Sequence, residues 1–161
     1  MSDLMRPLHT EHQLLLPYIE ELRRTADDVG LIPVRESEVA VEACRLFLFN
    51  RLIPHAEVET EVMYPVVAQL MGNTDATATM IKDHEEVVQL AEELESLSKE
   101  LQREKRLDDE LAVSLRRVLY GLYTIIGLHF AKEEELYAPL LERGLSPEEA
   151  RLMFQKLEML G

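Results

Sequence analysis

Along most of the chain, apolar side chains recur at intervals of three and four, and strict apolar–polar alternation is scarce. That spacing predicts helices almost throughout. Leu8, Leu15, Leu16, Ile19, Leu22 and Ala26 form one stripe, which runs out near Gly30. A loop with Pro33 follows, and Ser37 offers a cap for a second helix carrying Val41, Cys44, Leu48 and Leu52 and stopping near Gly72. Asn73, Thr74 and Asp75 are cap candidates for a third helix with Met80, Val87, Val88, Ala91, Leu94 and Leu101. QREKRLDDE at 102–110 reads as a turn. The fourth stripe passes through Leu111, Leu115, Val118, Leu122, Ile125 and Ile126, then Leu136 and Leu140, with Gly144 suited to its C-terminal cap.

Ser146, Pro147 and Glu149 in SPEEA make an N-cap, a first-turn proline and a capping-box acid, predicting a short last helix over about 147–158. Four long helices with short connections predict an all-α, up-down-up-down four-helix bundle over about 3–143, within one domain spanning 1–161. Pro17, Pro54, Pro65 and Pro139 fall inside these patterns, where each removes a backbone donor and should bend or end its helix. Pro54 directly precedes His55, so a distortion there would aim that histidine.

Polar residues break the apolar stripes at matching places. RLIPHAEVETEVMYP at 51–65 and IIGLHFAKEEELYAP at 125–139 each hold His, three residues, then Glu: His55/Glu59 and His129/Glu133. TEHQLLLPYIEEL at 10–22 echoes KDHEEVVQLAEEL at 82–94, each opening with an acid–His pair, at His12 and His84. The chain therefore reads as two copies of one hairpin. On helical wheels all six groups face the interior, His55 and Glu59 alongside Val62 and Val66. Burying two carboxylates among four imidazoles without compensation costs several kcal/mol, roughly, per ion. A metal gives every group a partner. Four His and two Glu suit two ions, each with two imidazoles and shared carboxylates. Structural zinc needs fewer ligands and usually Cys, and magnesium or calcium wants mostly oxygen. Mixed imidazole and carboxylate in a helical core points to two non-haem iron ions (Fe2+/Fe3+) with a bridging oxo or hydroxo, di-manganese ranking second.

Charge and cysteine narrow the setting. A net charge of −14 argues against nucleic acid and against an anionic membrane surface. Cys44 cannot form an internal disulfide and reads as a buried structural thiol. The N-terminus has no apolar signal core, and the longest contiguous apolar stretch, LYGLYTIIGL at 119–128, is short for a bilayer. A reducing cytoplasm is the expected compartment.

The order H…HxxxE…H…HxxxE on successive helices resembles the hemerythrin-like (HHE cation-binding) family over about residues 8–141. Its contexts IPHAEVETEVMYP and HFAKEEELYAPLL are similar to those of the family's bacterial members, and the overall pattern and the ending LSPEEARLMFQKLE resemble the mycobacterial hemerythrin-like proteins. The resemblance implies His12, His55, Glu59, His84, His129 and Glu133 as metal ligands, with both glutamates bridging. It departs from the oxygen-carrying members, which have a further histidine where this chain has Val88 and an aspartate where it has Glu134. One imidazole fewer leaves a nearly symmetric centre with two open positions, and the resemblance implies a catalase-like decomposition of hydrogen peroxide. The alternative is reversible O2 or NO binding, or oxygen or iron sensing. His9, one turn before His12, is expected at the rim, behind the ligands as a supporting group, or in place of the missing imidazole. Tyr64, Tyr137 and Tyr123 are expected to pack, or to ligate iron, contact bound peroxide or carry oxidising equivalents. Glu57, Glu61 and Glu134 are expected to be solvated, each with a carboxylate to offer a metal. Monomer and dimer both remain open.

Overall fold

The structure, a computed structural model, describes residues 3–160, and among them it is helical with no strand. A single 3-10 turn, Asp3–Met5, leads into α1, Arg6–Asp28. The chain reverses at Gly30, whose φ of +87° suits a residue without Cβ. Arg116 closes that end by donating to the Val29 carbonyl from Nε at 3.1 Å and Nη2 at 2.9 Å. Next come α2, residues 34–71, α3, Ala78–Glu104, α4, Asp109–Gly144, and α5, Pro147–Leu160.

Three caps differ from expectation. The second helix begins at Val34, so Ser37 lies a turn inside it and is fully buried; Pro33 supplies the carbonyl for the Glu36 and Ser37 amides, each at 3.0 Å. The third helix begins after Thr77 with no side-chain cap, and Asn73 instead accepts the Asp75 amide at 3.0 Å in the preceding turn. Gly144 ends α4 in ordinary helical conformation, and its need is space: a Cβ there would meet the Leu70 side chain at 2.7 Å. Asp108 caps α4 through the Leu111 amide at 2.9 Å, and the Ser146–Glu149 box caps α5.

Cross-helix pairs fix the layout. Along α1 and α2, Thr25 meets Cys44 while Glu11 meets His55; along α2 and α3, Arg45 meets Glu95 while Thr60 meets His84. Along α3 and α4, Asp83 meets His129 while Glu93 meets Arg117; along α4 and α1, Glu134 meets His12 while Arg116 meets Val29. Every neighbouring pair therefore runs antiparallel. The apolar interior is split in two. One cluster, including Leu22, Leu48, Leu94, Leu115 and Leu122, fills one end, and a second, including Leu8, Met63, Tyr64, Val67 and Leu141, fills the other. α5 completes the second cluster with Ala150, Met153 and Phe154.

Three π turns interrupt the long helices: Leu48–Leu52 and Glu59–Met63 in α2, and Glu133–Tyr137 in α4. A proline follows each one, at 54, 65 and 139. The residue before each proline donates five residues back: Ile53 to Leu48, Tyr64 to Glu59 and Ala138 to Glu133. A proline inside an α-helix clashes with the carbonyl four residues earlier, and one wide turn relieves that contact. The extra residue also advances the apolar stripe. Beyond Glu59 the buried positions are Met63 and Val67, while Val62 and Val66 are only partly covered. Beyond Glu133 they are Tyr137 and Leu141, Leu136 is 61% exposed, and Leu140 is partly covered. Leu16, in the first stripe, is also exposed. By length and composition α4 is apolar enough to cross a membrane, which the contiguous stretch at 119–128 is not; yet its Leu115, Val118, Leu119 and Leu122 are fully buried in the core.

Candidate metal centre

Between the two apolar clusters lies a layer made by His12, His55, Glu59, His84, His129 and Glu133. Five of them are buried, Glu133 completely, and His84 is partly so. Each imidazole turns Nε2 inward. His12 Nε2 lies 3.2 Å from Glu133 Oε2 and 3.8 Å from Glu59 Oε1. His55 Nε2 lies 2.9 Å from Glu59 Oε1. His84 and His129 bring their Nε2 atoms within 2.9 Å of each other, with Glu59 Oε2 3.6 Å from the first and Glu133 Oε1 3.3 Å from the second.

The outer nitrogens are fixed by a crossed set of partners. Glu11, which precedes His12, holds His55 Nδ1 at 3.0 Å; Asp83, which precedes His84, holds His129 Nδ1 at 3.0 Å. Thr60, which follows Glu59, holds His84 Nδ1 at 2.9 Å; Glu134, which follows Glu133, holds His12 Nδ1 at 2.7 Å. The Thr60 hydroxyl donates to the Ala56 carbonyl at 2.9 Å, so its oxygen accepts from His84 Nδ1–H. His84 is thereby committed to the tautomer whose Nε2 lone pair faces inward. Binding one ring nitrogen to orient the other is how metal-ligating histidines are held. Phe130 stacks on His12 at 4.1 Å and keeps its ring plane.

These inward atoms are poorly satisfied by one another. His12 Nε2, His55 Nε2, both Glu59 oxygens and Glu133 Oε2 are buried without a hydrogen bond of good geometry. Electrostatics show the strain. Burial would depress the His12 and His55 imidazoles, yet the Glu133 and Glu59 carboxylates raise His12 to about 9, and Glu59 with Glu11 raises His55 to about 10. Burial and the neighbouring His129 push His84 down to about 4. Burial opposes the Glu133 carboxylate too, but His12 and His129 hold it well below the usual range. Among the described residues, the positive charge in contact with the Glu59 and Glu133 carboxylates comes from protons on imidazoles, and a cation would take the same place.

Two groups have ligand atoms mutually within 4.8 Å: Glu59, His84, His129 and Glu133, and His12, His55 and Glu59. Each hairpin supplies one imidazole pair, and Glu59 belongs to both groups. The set can hold metal. Beside it lies a cavity of about 20 Å3, lined by His55, Glu59, His84 and His129 and by the apolar Leu52, Ala56, Val87, Ile126 and Phe130.

Of the tyrosines, Tyr64 reaches this layer. Its hydroxyl donates to Glu133 Oε1 at 2.7 Å and lies 3.0 Å from His129 Nε2 and 3.2 Å from His84 Nε2. Burial and the carboxylates of Glu133 and Glu59 keep that phenol protonated far above its ordinary range. Tyr137 packs edge-on to Tyr64 and directs its hydroxyl to the Ala76 carbonyl at 3.5 Å, away from the layer. Tyr123 packs against the other apolar cluster. His9 does not replace the missing imidazole: its Nδ1 pairs with Glu134, one carboxylate removed from His12. Glu134, expected to be solvated, is only partly exposed and bridges His9 and His12. Glu57 and Glu61 are exposed. Glu11, Asp83 and Thr60 were not singled out from sequence; the acid–His repeat pointed near the first two, but their partners lie on the adjoining helix.

The model of the hemerythrin HHE cation-binding domain matches residues 3–141, and the chain belongs to that family. No curated protein and no solved structure matches it.

Proposed function

We propose that this hemerythrin-family chain binds two iron ions, which His12, His55, His84, His129, Glu59 and Glu133 would hold, and decomposes hydrogen peroxide. The antiparallel contacts support reading α1–α4 as an up-down-up-down four-helix bundle that presents one imidazole from each helix. A single observation carries the reading: two imidazole pairs share a buried carboxylate whose two oxygens have no hydrogen bond.

Two irons alternating between ferric and ferrous would supply and accept the electron pair that peroxide chemistry requires. One hydrogen peroxide loses two electrons and two protons to give O2; a second takes up two of each to give two waters. The chain must therefore hold protons beside the metals. The Tyr64 hydroxyl, donating to Glu133 Oε1, keeps one proton at the layer. Thr60, Glu11, Asp83 and Glu134 fix the imidazoles so that none swings away during the cycle. The surrounding Leu52, Val87, Ile126 and Phe130 keep bulk water out.

The test is iron content together with oxygen release from added hydrogen peroxide. Two irons per chain with rapid release establish the activity. A chain that takes up no stoichiometric metal after reconstitution sinks it. One observation favours a second reading, reversible O2 or NO binding: beside the ligands the 20 Å3 cavity is walled by Leu52, Ala56, Val87, Ile126 and Phe130 and is of a size for a diatomic gas. Two irons with a stable gas adduct and negligible oxygen release would select it.

A further inference from the structure

A surface groove of about 600 Å3 runs between α1, α2 and α5. Beneath it is a separate cavity of about 30 Å3, to which Leu8, Val58 and Glu59 contribute. Groove and cavity share Glu11, His55, Phe154 and Leu157, so the two spaces adjoin at these four side chains. The cavity is lined in addition by Glu59, which the groove is not.

The helix that supplies two of these four side chains is placed beside the layer. α5 packs against the π turn Glu59–Met63 and against Asp3–Met5, so it sits on the backbone that carries Glu59. It also lies beyond residue 141, where the match to the family's domain ends. The cavity meets the layer at the His55 side. Opposite, the Tyr64 hydroxyl already stands against His84 and His129; the repeat has Ala138 at the position equivalent to Tyr64, so the His12/His55 side receives no hydroxyl from it.

We propose that α5 closes an entry passage to the His12/His55 side of the layer, and that Phe154 and Leu157 set the size of the neutral solute admitted. A space of about 30 Å3 holds one molecule of the size of water, dioxygen or hydrogen peroxide. A branched alkyl hydroperoxide is too large to share it with Leu157. The inference rests on the proposed metal centre for what the solute meets, but the passage is a property of the protein chain alone. A rival approach exists on the far side, where a depression of about 510 Å3 is lined by Thr60, Tyr64 and Ala68 among others.

Dissolved oxygen, which enhances the NMR relaxation of methyl groups it reaches, reports the passage in metal-free protein. Leu157→Trp is expected to lower the enhancement at the Val58 methyls severalfold and Leu157→Ala to raise it, with Ala68→Trp leaving it unchanged. Leu157→Phe is the milder filling variant if the tryptophan disturbs the melting temperature. In iron-loaded protein, Leu157→Ala is expected to raise consumption of tert-butyl hydroperoxide relative to hydrogen peroxide by about tenfold. Enhancement at Val58 that ignores position 157, or that falls in Ala68→Trp, overturns the proposal. Enhancement that follows position 157 in a chain that binds no iron leaves the passage standing and removes the metal centre.

Discussion

The hairpin of α1 and α2 and the hairpin of α3 and α4 carry the same devices at matching positions. Each has a lone histidine preceded by an acid, then HxxxE on the next helix, then a π turn released at a proline. In each, the acid fixes the HxxxE histidine of its own hairpin, and the residue after the glutamate fixes the lone histidine of the other. The two hairpins differ where these devices are chemically unlike. Thr60 stands opposite Glu134, and Tyr64 opposite Ala138. Three imidazoles are therefore held by carboxylates, which strengthen them as donors, while His84 is held by a neutral hydroxyl. The tyrosine of the first hairpin crosses to the imidazole pair of the second. The duplicated pattern builds a layer with two similar halves, and these two positions, with the π turn Leu48–Leu52 that α4 does not repeat, make the halves unequal.

Removing what the halves share should have the largest effect. Glu59→Ala deletes the carboxylate common to both ligand groups, so both positions should empty and peroxide turnover should vanish, as metal analysis would show. Full metal content in that variant would break the claim that the halves form one centre. With free metal at about a thousandfold above its dissociation constant, each emptied position should also cost about 4 kcal/mol of stability.

Tyr64→Phe attacks the asymmetry directly. Metal content should stay, while oxygen release should fall by about a hundredfold, the usual scale for a positioned proton donor. An unchanged rate would mean that the crossing hydroxyl only packs.

The outer partners should act on one half at a time. Thr60→Val leaves His84 Nδ1 without an acceptor and should weaken the His84/His129 position by about tenfold; Glu134→Gln should weaken the His12/His55 position by a similar factor. Stepwise metal titration resolves the two. Equal weakening of both positions by either change would erase the distinction between the halves.

The smallest effect is on pH dependence in stripped protein. His12 and His55 have folded values of about 9 and 10, above the ordinary 6.5, so their contribution is complete below 6.5 and is lost as pH rises through 9 to 10. His84, depressed to about 4, acts in the opposite sense and removes stability as pH falls from 6.5 towards 4. Melting temperature without metal should therefore peak near the ordinary histidine value. Metal takes the place of the protons, so loaded protein should lose the alkaline decline. A flat alkaline limb in stripped protein would show that the two imidazoles are not held charged.

Much of this was legible in the chain because helical periodicity and ligand spacing are local. The end of α2 at Gly72, the Ser146–Glu149 capping box and the inward direction of His129 and Glu133 follow from side chains close together along the chain. The prolines at 54, 65 and 139 announced a distortion, but an ideal helical wheel has no place for its form. One extra residue per π turn rotates everything beyond it by about 100°, the angle per residue of a helix. That is why Leu136 turns out to solvent and Tyr64 turns in. The two tyrosines look equivalent in sequence, yet Tyr64 lies five residues after its glutamate and Tyr137 four, and in the structure only the former faces the layer.

The sequence by itself determined the helices, the repeated hairpin and the six polar residues that share an interior face, since each of these depends on neighbours along the chain. Tertiary structure decided which nitrogen of each histidine faces inward, because Glu11, Asp83, Thr60 and Glu134 act across helix boundaries. It also decided where α5 rests, because burial of Phe154 and Met153 against Met63 and Leu8 depends on which end of the bundle is left open. Local spacing chooses the face of a helix; only packing chooses what that face meets.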